Sequence, residues 1–78
     1  MIIVYTSDDC QWCEKVKDLL KRSGYAFEER NVRTQTFREE WLELLRNEQR
    51  KTVPQVVYNG KRIGGYESTN IWLDSIRP

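Results

Sequence analysis

The chain has 78 residues, of which 13 are basic and 12 acidic, and its formal net charge is +1. This length predicts a single domain, residues 1–78, and the near-neutral charge gives no strong field for nucleic acid or an anionic membrane. We expect a soluble cytoplasmic protein without a leader or membrane span, because Asp8 and Asp9 end the first apolar run and no later stretch approaches the roughly 20 apolar residues of a span.

The first third of the chain predicts a strand followed by a helix. Residues 2–5 form a continuous apolar run, which is typical of a buried parallel strand. Val16, Leu19 and Leu20 then recur at helical spacing, and Gly24 supplies a left-handed stop.

The middle of the chain predicts a second strand and a second helix. Residues 26–32 are more polar than the first strand, so we expect them nearer an edge. Thr36 and Glu39 have the spacing of a capping box that opens a helix. The apolar side chains on one face of this helix are Phe37, Trp41, Leu44 and Leu45. Residues 46–51 then form a polar loop.

The last third predicts a hairpin and a helix. Residues 55–58 and 61–63 flank an Asn-Gly pair, the preferred two-residue hairpin turn because both positions need positive φ. Gly64 and Gly65 are expected to break the pairing, and Ser68 to cap the last helix. The apolar residues of that helix are Ile71, Trp72, Leu73 and Ile76.

The predicted order is therefore β-α-β-α-β-β-α. The first βαβ unit must be parallel, and the hairpin adds an antiparallel edge. We expect an α/β fold in which a four-stranded mixed sheet is flanked by three helices on both faces, with the strand ends left for function.

The only cysteines, Cys10 and Cys13, lie between the first strand and the first helix. A C-x-x-C at this position in a small protein favours thiol–disulfide exchange, which needs neither a metal nor an organic cofactor. The chain has no histidine, which excludes Cys-His catalysis and metal sites that contain histidine. Three alternatives stay open: a structural disulfide, half of a zinc site completed by another chain, and two inert buried cysteines.

The position at the start of a helix predicts separate roles for the two cysteines. Free N–H groups and the helix dipole favour an anion at Cys10, and the thiolate is the reactive species. Cys13 follows one helical turn later, close enough to form a disulfide. Cys10 is then the attacking thiol and Cys13 the thiol that resolves the mixed disulfide.

Two further segments are candidates for binding. Pro54 is either a simple strand-start proline or follows a cis peptide after Val53, which would turn the Val53 backbone outward to pair with an extended peptide. Residues 64–67 are either a turn or a place where a ligand approaches the backbone at a helix N-terminus.

Taken in this order and spacing, these motifs resemble the glutaredoxin family over nearly the whole chain. The matching residues are Tyr5-Thr6, Cys10 and Cys13, Thr52-Val53-Pro54, and Ile63-Gly64-Gly65-Tyr66. The resemblance implies a thioredoxin-like fold and reduction of disulfides by glutathione, which serves as a co-substrate rather than a tightly bound cofactor.

The resemblance also implies roles for individual residues. Cys10 would be the nucleophile and Cys13 the resolving thiol. Trp12 would flank bound glutathione, the Val53 backbone would hold its cysteinyl part, and Glu67 would pair with its α-amino group. The expected glutathione contacts are Trp12, Thr52, Val53, Pro54, Gly65, Tyr66 and Glu67, with Arg38 as a further candidate.

One departure from the family concerns charge. Ser7 stands where glutaredoxins often carry a lysine for the glycine carboxylate of glutathione, and Asp8 and Asp9 follow it. We expect weaker glutathione binding and, because two carboxylates oppose the helix dipole, a less stable Cys10 thiolate. Arg38 is a candidate replacement for the lysine, although Trp41 aligns equally well with that position.

A second departure is Gln11, where the family usually has proline. Some relatives without this proline bridge an iron–sulfur cluster between two subunits through the first cysteine and glutathione, so Cys10 would be a metal ligand only in that alternative. Another alternative is a glutaredoxin-like electron donor reduced by thioredoxin reductase. The expected partners are glutathione and disulfide-containing proteins, with ribonucleotide reductase a candidate, and the expected state is a monomer.

Overall fold

A four-stranded sheet with helices on both faces forms the structure, a computed structural model that describes residues 1–76. The elements follow the predicted order, and the predicted mixed sheet with three helices is confirmed. They are β1 (Ile2–Thr6), α1 (Gln11–Arg22), β2 (Glu28–Asn31), α2 (Gln35–Leu44), β3 (Gln55–Tyr58), β4 (Lys61–Gly64) and α3 (Tyr66–Ile76). No helix in this part of the chain is long and apolar enough to cross a membrane. The single domain over residues 1–78 stays a prediction, and its last two residues lie outside the described ones.

The strand order β2-β1-β3-β4 makes β1 a central strand. It pairs in parallel with β2 and antiparallel with β3, which pairs antiparallel with β4. The predicted edge position of the second strand is confirmed, although β2 is shorter than the predicted 26–32. Because successive side chains of a strand point to opposite faces, a central strand covered on both sides is apolar throughout.

Two apolar layers cover the sheet. On one face, Ile2, Val4 and Val56 pack against α1 and α3, whose Leu20 and Leu73 are fully buried. On the other face, a second cluster packs under α2 and consists of Tyr5, Val32 and Val57 with Ile3, Trp41, Leu44 and Val53. Of the apolar residues predicted on the last helix, Ile71 and Ile76 are exposed.

The hairpin forms as predicted, with one correction. Asn59 and Gly60 both adopt positive φ, of 49° and 84°. The two following glycines were expected to break the strand pairing, but β4 continues through Gly64, which pairs with Val56 after an irregularity in the register. The strands stay paired because β4 has one extra residue between Arg62, which pairs with Val57, and Gly64. This arrangement is that of a β-bulge.

Both predicted helix caps are wrong. The N-cap of α2 is Thr34, not Thr36, and its side chain makes no capping bond. The chain turns directly out of β2, where the Thr34 N–H donates to the Asn31 carbonyl at 3.1 Å, so the helix begins earlier than the capping pattern indicates. Similarly, α3 begins at Tyr66 as soon as β4 ends, which leaves Ser68 inside its first turn.

A polar network joins α2 to the sheet. The Tyr5 hydroxyl donates to Glu40 Oε1 at 2.9 Å, and Arg30 Nη1 donates to the same oxygen at 2.7 Å. The hydrogen bond from Tyr5 outweighs partial burial and, together with Arg30, lowers the pKa of Glu40. Because the folded pKa lies below the unfolded value of about 4.3, the ionised carboxylate stabilises the fold above that pH and loses this effect as the pH falls through the folded pKa.

We therefore expect Glu40→Gln to lower the free energy of unfolding by about 1 kcal/mol at pH 7. The difference from the wild type should shrink as the pH is lowered from about 7 towards 3, because the wild-type carboxylate becomes protonated. Urea denaturation at several pH values measures it. The control is Glu39→Gln, which changes an exposed neighbour on the same helix. A Glu40→Gln effect that is the same at every pH would contradict an electrostatic origin.

Candidate active site

The two cysteines lie at the amino end of α1, directly after the central strand. Cys10 is the N-cap of the helix and has extended backbone, with φ −114° and ψ 102°. The residue before it, Asp9, turns the chain with a positive φ of 55°. The expected position of Cys10, just before the first helical turn, is confirmed.

The Cys10–Cys13 pair is joined by a disulfide, with the two Cα atoms 5.2 Å apart. The Cys13 N–H donates to Cys10 Sγ at 3.1 Å. The same N–H and the helix dipole are placed to stabilise a Cys10 thiolate once the disulfide is reduced. Cys13 is fully buried, whereas Cys10 is partly exposed. The geometry therefore gives an attacking reagent access to Cys10 and shields Cys13.

The segment before β3 contains the predicted cis peptide bond, between Val53 and Pro54. Within residues 1–76, neither the N–H nor the C=O of Val53 takes part in a hydrogen bond. A backbone N–H and C=O without hydrogen-bond partners can pair with the backbone of an extended peptide, as in strand addition. A hydrogen bond joins this segment to α2, because Trp41 Nε1 donates to the Thr52 carbonyl at 3.0 Å.

A groove of about 460 Å³ runs beside the cysteines. Its lining is Trp12, Thr52, Val53, Pro54, Gly65, Tyr66 and Glu67. Trp12 is half exposed, and its ring lies 5.4 Å from the ring of Tyr66, measured between centroids. The two aromatic rings give the groove an apolar wall, and the Glu67 carboxylate supplies a charge.

Position 64, directly before the lining residues Gly65, Tyr66 and Glu67, requires a glycine. Gly64 has a φ of +124°, and a Cβ there would come within 3.0 Å of the Ser68 side chain. Gly65, a predicted glutathione contact, has more room. A Cβ there would meet only the Pro54 carbonyl oxygen, at an ordinary contact distance of 3.6 Å. Gly64 therefore positions the lining residues that follow it, whereas Gly65 is a member of the lining.

Two positive charges lie outside the lining of the groove. Arg38 is not part of the groove lining, and its Nε donates instead to the Val32 carbonyl at 3.0 Å. Lys15 holds its Nζ 4.3 Å from the centre of the Trp12 ring. The i, i+3 spacing of tryptophan and lysine on α1 is the signal that could have identified this contact.

The two aspartates before Cys10 are not equivalent. Asp8 forms an ion pair with Arg33 and accepts a hydrogen bond from Asn31 Nδ2 at 3.0 Å. Arg33 is therefore a counter-ion for Asp8, one of the two carboxylates expected to oppose the helix dipole at Cys10. Within residues 1–76, no group of three or more His, Cys, Asp or Glu side chains is placed to hold a metal ion. A cluster shared by two chains would take its ligands differently, so that alternative stays a prediction.

Comparison with known proteins decides the family. The family model for glutaredoxin matches residues 2–63. The chain belongs to the glutaredoxin family. Members of this family are thiol–disulfide oxidoreductases with a thioredoxin-like fold, in agreement with the Cys10–Cys13 disulfide and the mixed sheet.

Curated relatives and solved structures agree with this assignment. The chain is 36% identical over 67 residues to glutaredoxin 1 of Rickettsia conorii, with 86% of this chain and 66% of that protein covered. It is 32% identical over 62 residues to glutaredoxin 3 of Escherichia coli K12, covering 80% of this chain and 72% of that one. A buckwheat glutaredoxin–glutathione complex superimposes with a TM-score of 0.76 and 26% identity over 95% of this chain and 69% of the other. This glutaredoxin thus spans about two thirds of the length of the Rickettsia protein.

The burial of the two thiols predicts different reactivity. After reduction, we expect iodoacetamide at neutral pH to alkylate Cys10 at least tenfold faster than Cys13, because only Cys10 is accessible and lies at the helix N-terminus. Mass spectrometry of peptides from a time course gives both rates. Cys13→Ser should retain the fast reaction and Cys10→Ser should lose it. Equal rates at the two positions would contradict the assignment of the attacking thiol.

Proposed function

We propose that this glutaredoxin reduces protein disulfides and glutathione mixed disulfides, with glutathione as the source of electrons. One observation carries the proposal: the groove beside Cys10 and Cys13 is lined by the seven residues that the family motifs associate with glutathione. Its volume of about 460 Å³ lies within the range of small-molecule sites. The likeness to a buckwheat protein in complex with glutathione supports the same ligand.

The exchange reaction needs only the two thiols and glutathione. The Cys10 thiolate attacks one sulfur of a substrate disulfide, and the other sulfur leaves as a thiolate that takes a proton from water. The Cys13 thiolate then attacks Cys10, which forms the Cys10–Cys13 disulfide and releases the reduced protein. One glutathione reopens this disulfide by bonding to Cys10, and a second removes the first as oxidised glutathione. Two thiols of glutathione are thus oxidised for each disulfide reduced.

The groove offers a partner for each part of glutathione except one. The free N–H and C=O of Val53 suit the peptide backbone around its cysteine. Glu67 suits the α-amino group, and the first turn of α3 suits the neighbouring α-carboxylate. The glycine carboxylate lacks an evident cation in the lining, because Ser7 replaces the usual lysine and Arg38 lies outside the groove. We therefore expect a weaker affinity for glutathione than a lysine at this position would allow.

A coupled assay tests the source of electrons. Oxidation of NADPH is followed with a small disulfide substrate, once with glutathione and glutathione reductase and once with thioredoxin reductase alone. Turnover with glutathione is the expected result. Turnover only with thioredoxin reductase would contradict the proposal and would favour the alternative electron donor.

Variants of the two cysteines should separate the two reactions. We expect Cys10→Ser to abolish all activity, because the attacking thiol is lost. Cys13→Ser should remove reduction of protein disulfides but leave removal of glutathione from mixed disulfides, which needs one thiol. Both activities are measured in the coupled assay. An equal loss of both in the Cys13 variant would contradict this division of labour.

Glu67→Gln should raise the KM for glutathione about three- to tenfold with little change in kcat, because a charge-assisted hydrogen bond to the α-amino group is lost. The matched control is Asp74→Asn, which removes a carboxylate at the far end of the same helix. Initial rates against glutathione concentration measure both constants. An unchanged KM, or an equal rise in the control, would remove Glu67 from the binding site.

A cytoplasmic location, a monomeric state and ribonucleotide reductase as a partner stay predictions. A compartment that keeps glutathione reduced is what the proposed reaction requires.

A further inference from the structure

The Trp12 indole forms part of the groove wall but has little support from the apolar core. Trp12 is 52% exposed and belongs to neither of the two apolar layers on the sheet. Tyr66, the other aromatic residue of the lining, packs against the layer under α1 and α3. A half-exposed ring without such packing keeps rotamer freedom, which is lost when a ligand binds against it. The contacts that Trp12 makes outside the core therefore decide how well this wall is formed before binding.

Side chains from two helices contact the Trp12 ring. The Tyr66 ring, on α3, lies 5.4 Å away between centroids, with 48° between the two ring planes. Lys15, on α1, holds its Nζ over the Trp12 ring at 4.3 Å from the centroid. This distance is well within the roughly 6 Å at which the negative face of an aromatic ring attracts an ammonium. Lys15 and Tyr66 together restrict the rotation of the indole.

The ammonium of Lys15 has no competing partner among residues 1–76, because it forms no ion pair or hydrogen bond there. Lys17, on the same helix, differs in this respect, since its side chain is only 15% exposed and pairs with Glu14 and Glu29. Residues three apart on a helix are neighbours on its surface, which places Lys15 beside Trp12. The contact of Lys15 with the ring is therefore its one specific interaction in the described part of the chain.

We propose that Lys15 is a positioning residue of the groove, whose ammonium holds the Trp12 indole in the orientation that binds glutathione. This inference rests on the proposed function, in which Trp12 flanks the bound tripeptide. A ring already in place has less side-chain entropy to lose on binding, so the effect falls on the affinity and not on the exchange steps at Cys10. Because both side chains are exposed and lie outside the apolar layers, the contact can be removed without disturbing the core.

The kinetic test removes the ammonium and keeps the length of the side chain. We expect Lys15→Met to raise the KM for glutathione about two- to fivefold, with little change in kcat, in the coupled assay with glutathione reductase. Lys15→Arg should keep the wild-type KM, because a guanidinium also binds an aromatic face. The matched control is Lys21→Met, which removes the same charge from the exposed surface in the last turn of α1. An equal rise in the control, or no rise in Lys15→Met, would overturn the proposal.

A double-mutant cycle with Trp12→Leu shows whether Lys15 acts through the ring. In the Trp12→Leu background, Lys15→Met should raise the KM no further. An undiminished effect there would mean that the ammonium acts on the ligand itself, which would overturn the positioning role. The rate at which iodoacetamide alkylates Cys10 should be the same in Lys15→Met and in the wild type. A fall in this rate equal to the change in KM would assign the effect to the thiolate and would also overturn the proposal.

The order of the indole is measured without any turnover, which keeps this inference separate from the proposed reaction. In ¹⁵N-labelled oxidised protein without glutathione, we expect the heteronuclear NOE of Trp12 Nε1 to fall in Lys15→Met and to keep its wild-type value in Lys15→Arg. Trp41 Nε1, which donates to the Thr52 carbonyl, is the internal reference and should not change. A lower NOE for Trp12 together with no turnover by glutathione would reject the proposed function and support the contact that positions the ring. An unchanged NOE would overturn the inference even if the enzyme is active.

Discussion

The antiparallel pairing of β1 with β3 is the constraint on which the active site depends. Tyr5 pairs with Gln55 at the end of this ladder. Beyond that pair, β1 continues towards Cys10, and β3 is preceded by the cis peptide between Val53 and Pro54. The two segments therefore meet at one edge of the sheet although more than forty residues separate them in the sequence.

The next ladder adds the third part of the site in the same way. Val56 pairs with Gly64, so the end of β4 returns to the edge where the cysteines lie and α3 starts there. These registers place Val4 opposite Val56 in the layer under α1 and α3, and Ile3 opposite Val57 in the layer under α2. The groove is thus a consequence of strand pairing.

Backbone groups and neighbouring charged side chains set the electrostatic character of the site. The N–H of Cys13 contacts Cys10 Sγ, and the dipole of α1 acts in the same direction. Asp8 would oppose this effect, but its ion pair with Arg33 offsets the charge.

The resemblance to the glutaredoxin family indicated the residues of the groove, and the sequence by itself determined the order of elements, the hairpin turn and the cysteine pair. These follow from local patterns: side-chain periodicity, the Asn-Gly turn and motifs of fixed spacing. Tertiary structure decided the start of α2. The turn that follows β2 ends at Thr34, which becomes the N-cap two residues before the capping pattern at Thr36. It also decided the burial of Gln55, whose side-chain oxygen has no partner within residues 1–76, because burial arises only where segments distant in sequence pack together.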